Sequence, residues 1–311
     1  MIPILVLAGP TASGKTELAL KLAAQLKAEL ISADSRQVYI GLDIGTAKPS
    51  KAQLEQLRHH LIDIVDPRRR YNAGAFAKDA AQLIRKLHSE GKTPLVCGGT
   101  GFYIEALLHP LFDEPELPQE EREKLRLRLK EKAERLGTAY LHEELAAVDP
   151  ETAARLHPND FQRVSRALEL YYLSGRTMHQ LQVSSRREGD FSPLTVILDP
   201  PPERLKESIR RRCHRMIEEG WVQEVETLLA SGLEPDAPGF ESLGYREVIA
   251  VVQGRLSQGE ALEEIIRKTW QFARRQRIWF KRRRAQLRAD PQTLVPDEIV
   301  ELWYSHCADA G

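Results

Sequence analysis

Gly9-Pro-Thr-Ala-Ser-Gly14-Lys15-Thr16 has the spacing G-x-x-x-x-G-K-[ST], a pattern whose chemistry is the holding of phosphate. Its glycines let the backbone curl until successive N–H groups and the start of a helix face one anion. Lys15 adds a point charge, and the Thr16 hydroxyl is of the kind that reaches Mg²⁺. Gly9, Pro10, Thr11, Ala12, Ser13, Gly14, Lys15 and Thr16 are therefore expected to bind a di- or triphosphate. A second grouping, Asp34-Ser35-Arg36-Gln37, ends an apolar run, and a third, Gly98-Gly99-Thr100-Gly101-Phe102-Tyr103, ends another. Ligands collect at the carboxyl ends of strands in a parallel α/β sheet, which places Asp34 near the phosphate loop. The paired glycines of the third grouping permit close backbone approach to a ligand, and Thr100 supplies a hydroxyl beside them. That run lacks the terminal aspartate with which many nucleotide hydrolases hold Mg²⁺, which counts against a motor or switch ATPase.

The elements that must position these groups are visible in the apolar pattern. Ile2 to Ala8 reads as a strand before the phosphate loop, and Leu18, Leu22 and Leu26 mark a helix after it. Strands are expected at Glu29 to Ala33, His59 to Val65, Pro94 to Cys97 and Leu194 to Asp199, with a helix from Ala73 to Ser89 stopped by Gly91. Adjacent His59 and His60 point to opposite faces of a strand, which argues against a shared metal. The Gly41-to-Pro49 loop is polar and glycine-punctuated, and reads equally as a substrate loop or a surface turn.

From about Phe112 to Ser185 the chain is charge-dense and helix-favouring without strand signal, and strand pattern then resumes. The expected fold is α/β: a P-loop-type parallel sheet flanked by helices, with an all-helical insertion domain. Residues 1–111 and 186–311 would form the core and 112–185 the insertion. In the insertion, Asn159 or Asp160 can cap a helix carrying Gln162, Arg163, Arg166 and Glu169. Arg163 and Arg166 lie one turn apart, which suits a phosphate-gripping face or a salt-bridged one.

Formal net charge is +0, from 45 basic and 45 acidic residues, so nucleic-acid affinity has to come from local patterning. Two segments offer it. Arg204 to Gly220 reads as a basic helix with Arg210, Arg211, Arg212 and Arg215, and Arg267 to Arg284 interleaves bases with aromatics and has no acidic residue. Such a helix is a nucleic-acid footprint or simply a solvated basic face. Cys97, Cys213 and Cys307 form no C-x-x-C pair, which speaks for a reducing compartment and against zinc. Without a charged leader or a membrane-length apolar run, a soluble cytoplasmic protein with no membrane partner is expected.

Together these segments resemble one family, the bacterial tRNA dimethylallyltransferases, also called tRNA isopentenyltransferases. The resemblance rests on Gly9 to Thr16, Asp34-Ser35-Arg36-Gln37-Val-Tyr39, Asp43-Ile-Gly-Thr-Ala-Lys48-Pro49, His60-Leu-Ile-Asp63, Gly98 to Tyr103, His157-Pro-Asn-Asp160, Arg163-Val-Ser-Arg166-Ala-Leu-Glu169, Gly244-Tyr245-Arg246 and Arg274-Arg275-Gln276. These occur in family order to about residue 284, and Asp290 to Gly311 adds nothing. Eukaryotic members carry a C-terminal zinc finger, for which this sequence has no residues.

The resemblance implies transfer of a dimethylallyl group from dimethylallyl diphosphate to N6 of the adenosine immediately 3′ of the anticodon, releasing diphosphate. The loop would then hold the donor's diphosphate, with ATP at most an incidental occupant and Mg²⁺ on Thr16. Thr100 and Arg212 would act with Lys15 on the leaving group, and Asp34 would be the general base toward N6. Strand-end aspartates also serve as Mg²⁺ ligands or caps, so that role stays open for Asp34. Implied tRNA contacts are Asp34, Ser35, Arg36, Gln37, Thr100, Arg122, Gln162, Arg163, Val164, Ser165, Arg166, Gly244, Tyr245 and Arg246. The helical insertion would clasp the anticodon arm and the basic C-terminal region would meet further phosphates, in a protein expected to be a monomer. The competing readings are a small-molecule phosphate kinase, a prenyltransferase of free adenine nucleotides, and an RNA-binding module whose nucleotide only orders the fold.

Overall fold

An unbroken apolar run becomes a strand covered on both faces, and Ile4 to Ala8 are buried in this way. The computed structural model describes residues 1–109, 118–184 and 189–310. In chain order its elements begin β1 (Ile2–Ala8), α1 (Lys15–Leu26), β2 (Ala28–Ser32), α2 (Lys51–Gln56), β3 (His59–His60), α3 (Ala73–Ser89), β4 (Thr93–Gly98) and α4 (Gly101–Leu108). Five helices follow: α5 (Gln119–Leu136), α6 (Thr138–Val148), α7 (Pro150–Ala153), α8 (Phe161–Ser174) and α9 (Met178–Ser184). The chain then runs through β5 (Phe191–Leu198), α10 (Pro202–Glu218), α11 (Trp221–Ala230), α12 (Tyr245–Val252), α13 (Gln258–Lys281), β6 (Leu287–Ala289) and α14 (Pro296–Ala310).

Its internal contacts divide the chain into two units, Met1–Leu108 with Gly189–Gly311, and His109–Glu188. The domain limits expected at 111/112 and 185/186 fall among residues outside the described ones.

In the first unit six parallel strands are ordered β3-β2-β4-β1-β5-β6. Alternation along β1 supplies two cores: Ile4, Val6 and Ala8 face α3 and α4 residues such as Phe76 and Ile104, while Leu5 and Leu7 join Leu18 and Leu22 of α1. A third core, around Trp221, Tyr245 and Phe240, knits α10 to α13 together. Register pairs Ala8 with Gly98 and with Ile197, and Ser32 with Cys97. The carboxyl ends of β1, β2, β4 and β5 are thereby level, and the segments expected to do chemistry leave the sheet at one edge. The second unit is all helical among the described residues, with α5, α6 and α8 closing on Leu129, Leu141, Leu145, Val164 and Leu168.

One sequence expectation needs correction. The His59-to-Val65 run is a strand only at His59–His60: Leu61 (φ 61°) and Asp63 (φ 55°) are left-handed, and Val65 returns as an isolated bridge to Tyr39. The apolar residues there belong to a turn that buries Leu61 rather than to a ladder. The segment from Asp290, which adds nothing to the resemblance, completes the packing of the first unit. α14 buries Ile299 and Trp303 against the α1 face of the sheet, and Asp297 accepts a hydrogen bond from Gln25 at 2.9 Å.

Candidate active site

Between β1 and α1 the backbone passes through Gly9 (φ 154°), Ala12 (φ 60°) and Gly14 (φ 84°). Those conformations curl the loop over the first turn of α1, where the helix leaves N–H groups unpaired by its own carbonyls. The Lys15 ammonium lies against this loop, donating to the carbonyl oxygens of Gly9 (2.9 Å) and Pro10 (2.6 Å). Burial lowers its pKa to about 8, with Arg212 pushing in the same direction and Asp34 opposing. Thr16 stands exposed one residue further along α1.

Asp34 and Thr100 meet because β2 and β4 are neighbours. Ala33 donates to the Cys97 carbonyl (2.8 Å), and Thr100 N–H donates back to Ala33 (3.2 Å). Only glycine fits at 98, where a Cβ would sit 2.1 Å from the Ala33 carbonyl oxygen. The Thr100 hydroxyl accepts from Ser35 N–H at 3.1 Å, and Asp34 Oδ1 accepts from Arg36 N–H at 2.8 Å. The carboxylate is thus oriented by its own turn, as in an Asx-type cap. Cys97, behind it, has its thiol pushed up to about 11 by burial and is not a nucleophile.

Arg212 reaches the same place from α10, its Nη1 donating to the Thr11 hydroxyl at 3.1 Å. Burial lowers its pKa while Asp34 raises it, so the guanidinium is a desolvated cation beside the phosphate loop. Arg210, Arg211 and Arg215 of the same helix are exposed, which separates Arg212 from its neighbours by helical phase. Lys15, Arg212, Asp34 and Thr100 therefore share one site at the carboxyl edge of the sheet.

Several contacts in this unit join residues whose partners the sequence motifs do not indicate. Glu224 of α11 accepts from the N–H groups of Asp43 (2.8 Å) and Ile44 (2.6 Å) and from the Tyr245 hydroxyl (2.7 Å). Lys48, 5% exposed, donates to the Tyr39 carbonyl (2.6 Å) and pairs with Asp43 and Asp63. Gln37 donates to the Ala47 carbonyl at 3.1 Å. The Gly41-to-Pro49 loop is accordingly held at its start by Glu224 of α11 and at its far end by Gln37 and Tyr39 of the segment that follows Asp34. Tyr245 itself is buried and Gly244 packs on Trp221, leaving exposed Arg246 as the side chain of that segment that faces solvent. Gln276 of α13 accepts from Thr11 N–H and donates to the Gly99 carbonyl, both at 2.8 Å. Its signal was helical phase: Ala273, Gln276 and Phe280 share the buried stripe, and an amide there requires partners.

In the helical unit the central polar feature is an ion-pair cluster. Glu169, 2% exposed, accepts from Arg122 Nε (3.1 Å) and Arg126 Nε (2.6 Å) and also pairs with Arg166. Asp160 caps α8 through Arg163 N–H at 3.2 Å and pairs with the Arg163 side chain at 3.4 Å. Gln162 and Arg163 are exposed, Ser165 is half-buried, and Val164 lies in the core of this unit. Of the two meanings open for the Arg163 and Arg166 face, ion pairing is present for both residues.

No cluster of three or more His, Cys, Asp or Glu side chains suited to a metal occurs among the described residues. His60 lies 2.6 Å from Glu29, and His59 Nδ1 lies 2.7 Å from the Leu57 carbonyl. The exposed Thr16 hydroxyl at the start of α1 is an oxygen donor of the kind that suits Mg²⁺, which keeps waters and is carried largely by phosphate oxygens. No helix among the described residues is long and apolar enough to cross a membrane.

The IPP transferase family model matches residues 37–283. A tRNA dimethylallyltransferase 1 from Syntrophotalea carbinolica is 44% identical over 282 residues, covering 90% of this chain and 88% of the relative. A tRNA dimethylallyltransferase from Caldicellulosiruptor saccharolyticus is 39% identical over 311 residues, covering 98% of each. Among solved structures, the full-length tRNA isopentenylpyrophosphate transferase of Bacillus halodurans superposes with TM-score 0.70 at 32% identity, covering 99% of this chain and 96% of that one. A eukaryotic dimethylallyltransferase acting on tRNA gives 0.76 at 27% identity, covering 90% and 70%. Sequence, sheet topology and the shared edge of phosphate loop and aspartate agree: the chain belongs to the IPP transferase family.

Proposed function

We propose that this protein transfers a dimethylallyl group from dimethylallyl diphosphate to N6 of the adenosine immediately 3′ of the anticodon in tRNA, releasing diphosphate. The observation that carries this reading is the convergence of the Gly9-to-Thr16 loop, Arg212, Thr100 and Asp34 at one sheet edge. Such a site has a cradle for an anionic leaving group on one side and a carboxylate on the other.

Adenine N6 is a poor nucleophile because its lone pair is delocalised into the ring. Asp34 accepts a hydrogen bond from N6 and takes its proton as the N6–carbon bond forms. As the carbon–oxygen bond to diphosphate breaks, charge develops on the leaving oxygen, where the loop N–H groups, Lys15 and Arg212 stabilise it. Thr100 fixes the Asp34 turn and has a hydroxyl lone pair and proton for the same region. Mg²⁺, held through Thr16 and the donor's phosphates, supplies further charge neutralisation when bound.

The target base sits in a single-stranded loop, where taking it out of its stack costs little. Ser35, Arg36, Gln37, Gly244 and Arg246 supply contacts from the first unit. Arg122, Gln162, Arg163, Ser165 and Arg166 supply them from the helical unit. The basic face of α13 meets more phosphate, and the protein acts as a monomer in the cytoplasm.

A phosphate kinase shares the loop and a strand-end aspartate, so donor identity is the test. In single-turnover assays with labelled dimethylallyl diphosphate or labelled ATP, label is expected to reach tRNA only from the former. Transfer of phosphate from ATP would replace this reading with the kinase.

A further inference from the structure

Among the described residues Gln276 is the one buried amide that touches both halves of the site, and its neighbours explain why an amide stands there. The Arg274-Arg275-Gln276 segment lies near the end of α13, in a run of bases and aromatics. Arg274 and Arg275 are exposed, while Gln276 is 8% exposed and turned into the protein. Its Oε1 accepts from Thr11 N–H at 2.8 Å and its Nε2 donates to the Gly99 carbonyl at 2.8 Å. One end meets a donor and the other an acceptor, a demand that carboxamides alone meet among side chains of this shape. Gly99 makes room for the contact, since a Cβ there would lie 2.5 Å from Nε2.

Each backbone group so held leads directly to a reacting group. Thr11 is the residue whose hydroxyl receives Arg212, at 3.1 Å. Gly99 precedes Thr100, whose hydroxyl receives Ser35 N–H at 3.1 Å beside Asp34. Phosphate loop and glycine turn are 88 residues apart in sequence, as 99 less 11, and neither the Thr11 N–H nor the Gly99 carbonyl has a strand partner. The β1–β4 ladder ends at Ala8 and Gly98, and beyond it a side chain from a third element bridges the loop and the turn.

We propose that Gln276 is a positioning residue that clamps the phosphate loop to the Gly99-Thr100 turn and so fixes the distance between the leaving-group cradle and the Asp34 carboxylate. The inference rests on the transfer reading for its catalytic consequence, though the clamp itself is a property of the diphosphate cradle. In-line displacement is sensitive to such a distance, and misplacement by about 1 Å can lower a rate by about a hundredfold. The amide, buried and satisfied by backbone at both ends, acts through Thr11 and Gly99 and has no direct part in holding tRNA.

The test uses the full-length protein with Gln276→Met and Gln276→Glu. Met fills the volume but removes both hydrogen bonds. Glu keeps an acceptor for Thr11 and sets a carboxylate oxygen against the Gly99 carbonyl, adding negative charge beside the cradle. Calorimetry with inorganic diphosphate and Mg²⁺ is expected to show binding about tenfold weaker in Met and at least as weak in Glu. Single-turnover transfer at saturating donor and tRNA is expected to slow by about tenfold to a hundredfold, with KM for tRNA within about twofold of the parent. If Met fails to fold, the isosteric Glu variant carries the test. Unchanged diphosphate affinity and transfer rate in a folded variant overturn the proposal, and so does a loss confined to KM for tRNA. If the parent protein binds diphosphate but transfers nothing, the transfer reading fails while the diphosphate titration still decides the clamp.

Discussion

The two units use opposite means to hold charged groups in place. At the sheet edge, positions are set by hydrogen bonds between side chains and backbone groups: Gln276 with Thr11 and Gly99, Ser35 N–H with Thr100, and Arg36 N–H with Asp34. In the helical unit, the buried Glu169 carboxylate gathers Arg122, Arg126 and Arg166. Hydrogen bonds with backbone groups are directional, and they keep a reacting group in place without bringing in an opposite charge. An ionic hub instead gathers cations whose combined field acts on a polymer over several ångströms. Bond-making chemistry requires the first kind of order, and recognition of a phosphate backbone requires the second.

That contrast breaks most visibly at Asp34. Asp34→Ala is expected to lower turnover about a hundredfold or more, as loss of a general base does, with tRNA affinity within a few-fold by filter binding. Equal turnover would remove Asp34 from the chemistry. Glu169→Gln attacks the other kind of order. Three half-buried or exposed guanidiniums lose their shared carboxylate, and thermal or denaturant unfolding is expected to show a loss of about 3 kcal/mol. Transfer at saturating tRNA should change far less than KM for tRNA, and a purely kcat effect would contradict the division of labour.

Lys15 provides a pH test of the sheet-edge site. Burial holds its pKa at about 8, so the ammonium begins to lose its proton as pH rises through that value. An anion in the cradle favours the charged form. Diphosphate affinity is therefore expected to fall by up to about tenfold for each pH unit above 8, with proton uptake on binding there and little below. Calorimetry in buffers of different ionisation enthalpy reads both, and an affinity flat from pH 7 to 9.5 would exclude Lys15 from the anion site. The smallest effect is expected at exposed Arg163: Arg163→Ala should lower the slope of log affinity for tRNA against log salt by about one. An unchanged slope would mean that Arg163 meets no phosphate.

How much of this was legible in the sequence follows from how local each interaction is. The phosphate loop is written within eight consecutive residues, Gly9 to Thr16, because its geometry is local. The strand before it and the Ala73–Ser89 helix emerged from apolar periodicity. Asp34 and Thr100 could be placed at strand ends, but their meeting depends on β2 lying beside β4, which no local pattern encodes. Gln276 and Glu224 act across 265 and 181 residues respectively, and nothing beside them in sequence announces their partners. His59 to Val65 misled for the converse reason: a short, mostly apolar run reads locally as a strand, while a left-handed turn at Leu61 and Asp63, pinned by Lys48, overrode it.

The account stands on what the sheet-edge site does to tRNA. Unmodified tRNA incubated with the protein, dimethylallyl diphosphate and Mg²⁺, then digested and analysed by mass spectrometry, tests it most directly. One anticodon-loop fragment is expected to gain a dimethylallyl group in place of one hydrogen, at N6 of the adenosine immediately 3′ of the anticodon, with an equal yield of diphosphate. Donor hydrolysis without such a fragment, or a dimethylallyl group at any other position, would contradict it.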